Sequence, residues 1–92
     1  MLSVPGCGHC QRFGPIFDEI ALTVRDRVLT GKVNCERFGR LCNHLGVRAF
    51  PTVLFFPGLT DVGKEINDRN HDDVVRFIDN ELARSRSRHD EL

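Results

Sequence analysis

The segment Thr52-Val53-Leu54-Phe55-Phe56 is an unbroken run of β-branched and aromatic residues. A run of this kind reads as a buried strand, so the chain must supply a sheet and helices to cover it. Pro57-Gly58 opens a turn after it. Residues 63–66 can then form a short return strand beyond the Gly-Leu-Thr-Asp-Val-Gly connection. Upstream, Val28-Leu29 and Val33 suggest another short strand, weakened by Gly31. Residues 3–6, Ser-Val-Pro-Gly, read as the frayed end of a strand entering a turn.

Between these strands the apolar period changes. Phe13, Phe17, Ile20, Ala21 and Val24 lie on one face of a helix over residues 8–24, with a kink expected at Pro15. Phe38, Leu41, Cys42 and Leu45 predict a short helix over 36–45, stopped by Gly46. Val74, Val75, Phe77, Ile78 and Leu82 form the stripe of a last helix, with Asn70 or Asp72 as its cap. The order is strand stub, helix, strand, helix, strand, strand, helix. An α/β architecture with a mixed sheet flanked by helices satisfies it. The 92 residues suffice for one domain with a modest core. We place it at 1–83, followed by a polar, mobile tail at 84–92.

Charge excludes some functions. Lys plus Arg and Asp plus Glu number 13 each, so no basic excess points to nucleic acid. Arg84-Ser85-Arg86-Ser87-Arg88 is too short in a neutral chain to change that. No apolar run approaches the roughly 18 residues of a membrane span. His44 and His71 read as surface or satisfied histidines, and Asp72-Asp73 as a helix-start pair favourable to the dipole.

The chemistry sits in Cys7-Gly8-His9-Cys10. Two cysteines separated by two residues can close a small ring when the first stands at a helix N-terminus. There the free N–H groups and the dipole stabilise a thiolate, the form that attacks disulfides. Cys7 directly precedes the helix and is the candidate nucleophile. Cys10, one turn in and more buried, is the candidate resolving thiol. Gly8 and His9 complete the redox-active loop, and an imidazolium or its dipole near Cys7 would favour the thiolate. Two other readings stay open: half of a zinc site, although the second pair is spaced Cys35-x6-Cys42, and a purely structural Cys7–Cys10 disulfide, whose small loop stabilises little.

The Cys-Gly-His-Cys at a helix start, Pro15 five residues beyond Cys10, and Ala49-Phe50-Pro51-Thr52 before a buried strand resemble thioredoxin-fold proteins. Val33-Asn34-Cys35 and the terminal His89-Asp90-Glu91-Leu92 narrow the resemblance to relatives of protein disulfide isomerase, over residues 4–82. The resemblance implies a thiol–disulfide oxidoreductase or isomerase acting on folding proteins, with no cofactor. It makes Pro51 the family's cis-proline, with Phe50 and Pro51 helping to hold extended substrate. Arg69 matches the family's mobile arginine, thought to lower the pKa of the buried cysteine; an ordinary surface arginine is the alternative. Cys35 and Cys42 match a pair that forms a second, structural disulfide in some members, against two buried free thiols. The final tetrapeptide implies a retention receptor as partner and the lumen of the endoplasmic reticulum as location.

The departures matter equally. The family usually has Trp where Gly6 stands. Its buried proton-accepting glutamate falls on Met1. Its opening strand, first helix and most of its central strand have no counterpart, so we expect a truncated thioredoxin-like domain in which strands 28–34 and 52–56 lack backbone partners. The first five residues contain neither the basic region nor the apolar run of a signal peptide. A catalytically weak, chaperone-like binding module therefore stands as a further alternative.

Overall fold

Phe13, Phe17, Ile20 and Val24 recur every three or four residues, and in the computed structural model of the chain they form the buried stripe of helix α1, Gly8–Val24. The structure describes residues 1–58 and 62–90. Leu59-Thr60-Asp61 of the expected connection, and Glu91 and Leu92 of the terminal tetrapeptide, lie outside the described residues. The remaining elements are β1 (Leu2–Ser3), β2 (Val33–Asn34), α2 (Gly39–His44), β3 (Val53–Phe55), β4 (Lys64–Ile66) and α3 (His71–Asp90). This is a thioredoxin-like α/β fold. Among the described residues, no helix is long and apolar enough to cross a membrane.

α1 spans the expected residues with Pro15 inside it. Phe13 and Phe17, before and after the proline, are both buried in the same core, and tertiary packing of that face outweighs the one missing N–H. The stripe meets Val53 and Phe55 of β3, Ile66 of β4, and Val74 and Ile78 of α3 in one buried cluster. Each such side chain contributes roughly 1.5–3 kcal/mol of transfer free energy. Polar contacts align the two helices at the rim. Arg27 holds Asp79 through Nε and Nη2 at 2.7 and 3.2 Å, and Thr23 Oγ1 lies 2.6 Å from His71 Nε2. Asn70 Oδ1 accepts from the Asp73 N–H at 2.9 Å and so caps α3.

The sheet is built around β1. It runs parallel to β2, pairing Leu2 with Val33 and Ser3 with Asn34, while β3 runs antiparallel to β4. Leu2 then bridges to Thr52 through two backbone bonds of 2.8 and 3.0 Å. The neighbours of β1 are therefore not left unpaired at that level: the N–H groups of Val33, Cys35 and Thr52 all bond to carbonyls of residues 1–3.

Three sequence expectations need correction. The strand at 28–34 shrinks to Val33–Asn34, because β1 offers only two residues to pair with; Leu29 is 99% exposed. The helix at 36–45 shrinks to α2, and its Phe38 and Leu41 are about half exposed rather than turned to the core. A Cys35–Cys42 disulfide anchors α2 in place of an apolar face. Its small loop stabilises by about 2–3 kcal/mol in the chain-entropy account. Gly46 (φ 74°) ends α2: its N–H reaches Asn43 O and that of Val47 reaches Cys42 O, the paired bonds of a Schellman motif. Finally, α3 carries the helix to Asp90, through residues read as a mobile tail. Ala83 and the arginines there are good helix formers, and Arg84 pairs with Glu81 one turn back.

Candidate active site

Val4-Pro5-Gly6-Cys7 delivers the chain from β1 to α1. Pro5 fixes the second turn position, Gly6 takes φ 80° at the third, and the Cys7 N–H closes onto Val4 O at 3.4 Å. A type II turn requires this positive φ, which a bulky side chain rarely adopts. Gly6 is thus an integral part of the turn. The turn sets Cys7 as the N-cap of α1, with extended φ/ψ of −78° and 115°. Its sulfur accepts the Cys10 N–H at 3.3 Å. Cys7 and Cys10 are unbonded thiols; Cys7 is half-buried and Cys10 is buried.

The two thiols are driven apart electrostatically. Hydrogen bonds from the Cys10 thiol and then the Cys10 N–H hold the Cys7 pKa below the ordinary cysteine value. Burial opposes them, and the weaker effects of the His9 N–H and the Arg12 charge add to the lowering. Burial, followed by the Cys7 hydrogen bond, pushes Cys10 up. Because the thiolate is the nucleophile, a lowered pKa moves the rise of reactivity to lower pH. Alkylation of Cys7 should therefore reach half its limiting rate below the pH required by a cysteine in an unstructured peptide, with Cys10 still unmodified. A Cys7 profile that overlays the peptide's would refute this ordering.

Opposite Cys7 lies the loop Ala49–Thr52, whose Phe50–Pro51 peptide bond is cis. All four of its carbonyls have partners. Thr52 Oγ1 donates to Ala49 O at 2.6 Å, and the Cys7 thiol to Phe50 O at 3.8 Å. Arg69 Nη2 donates to Pro51 O at 3.0 Å, and the Leu2 N–H to Thr52 O at 2.8 Å. Arg69 also donates to Ile66 O and Asp68 O, and its guanidinium lies 5.3 Å over the Phe13 ring. Here Arg69 is a strut beneath the proline loop. The buried Cys10 thiol is not among its hydrogen-bond partners.

His9 is exposed and turned from Cys7 to Arg12, whose Nη2 lies 3.0 Å from His9 Nδ1. A guanidinium only donates, so Nδ1 accepts in this arrangement. Against Cys7 it is the His9 backbone N–H that acts. Cys35 and Cys42, bonded to one another, are withdrawn from any zinc site shared with Cys7 and Cys10.

The thioredoxin family profile matches residues 2–80. The chain belongs to the thioredoxin family. It is 34% identical over 79 residues to DnaJ homolog subfamily C member 10 of Xenopus laevis, covering 80% of this chain and 10% of that protein. It is 35% identical over 83 residues to the protein disulfide-isomerase-like protein EhSep2 of Emiliania huxleyi, covering 86% and 37%. The crystal structure of the J-Trx1 fragment of ERdj5 superposes with a TM-score of 0.81 at 30% identity, over 94% of this chain and 40% of that one. The chain thus spans between a tenth and little over a third of these curated relatives, as a thioredoxin domain of the type found in such oxidoreductase-like proteins.

Sequence reasoning passed over two residues of this thioredoxin domain. Thr52 fastens the proline loop to itself and to β1. Arg12 stands three residues after His9, so both occupy one helical face; that spacing was the available signal.

Proposed function

We propose that the domain is a thiol–disulfide oxidoreductase acting on disulfides of protein substrates in the lumen of the endoplasmic reticulum. The observation that carries the reading is the asymmetry of the dithiol: a half-exposed Cys7 sulfur receiving an N–H at a helix start, above a buried Cys10. The Cys7 thiolate attacks one sulfur of a substrate disulfide, forms a mixed disulfide and expels the other substrate sulfur as thiolate. Cys10, once deprotonated, attacks the Cys7 sulfur. The Cys7–Cys10 disulfide forms, and the second substrate thiolate leaves, so the substrate gains two electrons. The same steps reversed oxidise a substrate dithiol.

Phe50 and Pro51 face the attacked bond and serve as its platform. Arg69 holds that platform in place. The terminal His89-Asp90-Glu91-Leu92 supports the location, through a retention receptor. The test is reduction of insulin disulfides with dithiothreitol as the terminal reductant. The chain should raise the rate well above that of dithiothreitol alone. A rate equal to dithiothreitol alone overturns the reading and leaves a binding module.

A further inference from the structure

A cleft of about 440 Å³ opens beside the dithiol. Phe13, Phe50 and Pro51 form its apolar walls, and His9, Arg12 and Arg69 its polar ones; among the described residues no acidic side chain lines it. The two cations differ. Three contacts of Arg69 go to the carbonyls of Ile66, Asp68 and Pro51. Arg12 is exposed, touches His9 through a single contact, and among the described residues pairs with no carboxylate. Its charge reaches Cys7. Phe50, a wall of the cleft, lies with its carbonyl 3.8 Å from the Cys7 sulfur.

A substrate sulfur held at Cys7 thus places its neighbouring residues in this cleft, at about 3.3 Å per extended residue. We propose that the cleft selects disulfides bearing a carboxylate one or two residues from the attacked sulfur, and that Arg12 reads that carboxylate. The proposal rests on the oxidoreductase reading above. A guanidinium with free donors binds a carboxylate through charge-assisted hydrogen bonds, and the apolar walls accept the adjoining methylenes. An acidic side chain of a protein substrate and the carboxylates of glutathione present the same chemistry.

The experiment compares kcat/KM for mixed-disulfide peptides that differ only in Glu, Gln or Lys two residues from the cysteine. A parallel arm compares glutathione disulfide with its ethyl ester. The Glu peptide should exceed the Gln peptide by about three- to tenfold, mainly through KM, with Lys lowest. The Glu-to-Gln ratio should fall to about one in Arg12→Gln, persist in Arg12→Lys, and shrink at high salt. Taking the ratio cancels any change in Cys7 reactivity common to both peptides. An Arg12-dependent preference confined to the peptides assigns the cleft to protein substrates, and one confined to the glutathione arm assigns it to glutathione. Equal turnover within both arms, or a preference that survives Arg12→Gln, overturns the proposal alone. No turnover of any disulfide overturns the oxidoreductase reading and this proposal together.

Discussion

Replacing Cys10 with serine is expected to leave the domain covalently attached to its substrate. Cys7 keeps its position as N-cap of α1 and the backbone N–H of residue 10 that the sulfur accepts. Attack on a substrate disulfide therefore proceeds, and a mixed disulfide forms. The group that would displace the substrate is gone, since a serine hydroxyl does not attack a disulfide. Steady-state turnover should fall on the order of a thousandfold, while a higher-mass adduct, cleaved by reductant, accumulates on non-reducing gels. Cys7→Ser removes the attacking group itself, so turnover falls equally and no adduct appears. Adducts in Cys7→Ser and none in Cys10→Ser would exchange the two roles, against the lowered Cys7 pKa and the burial of Cys10.

The second large effect concerns the fold. Ile20 is 1% exposed at the centre of the cluster that joins α1, β3, β4 and α3. Ile20→Ala should destabilise the domain by about 2–5 kcal/mol through lost burial and an unfilled cavity. A 92-residue chain has a total stability of roughly 5–14 kcal/mol, so the variant loses a large share of it. The urea midpoint should move down by roughly 1–3 M. Leu22, two residues away and 63% exposed, is the control: Leu22→Ala should stay within about 0.5 kcal/mol of the parent. Equal midpoints for the two variants would mean that α1 does not pack by the face described.

These two predictions draw on parts of the chain whose legibility differed. The α1 stripe could be read because period 3.6 imprints a buried face on sequence, and the Thr52–Phe56 run because a strand inside a core is uniformly apolar. The residues around Leu29 misled for the converse reason. An apolar residue signals strand only if a partner is there to pair with, and β1 extends pairing to Val33 and Asn34 alone. Phe38 and Leu41 followed helical spacing, yet a covalent bond one residue on holds that helix down and removes the need to bury them. At the site, the dithiol could be read from its spacing and the helix that follows. The direction of the His9 ring could not, because it depends on Arg12, and neither could the three carbonyls that engage Arg69.

The proline loop also limits how the chain can vary in length. Its four carbonyls are taken up by Thr52 itself, the start of α1, the β4–α3 connection and β1. One residue inserted between Ala49 and Thr52 would displace at least one of these acceptors. It would also slide Thr52 off Leu2, the single bridge among the described residues between the β1–β2 and β3–β4 pairs. Length changes are absorbed instead where no such junction exists, as in the exposed stretch around Leu29 and Thr30. Four residues of loop thereby keep the spacing between the attacking sulfur and its platform fixed while the surrounding surface remains free to change.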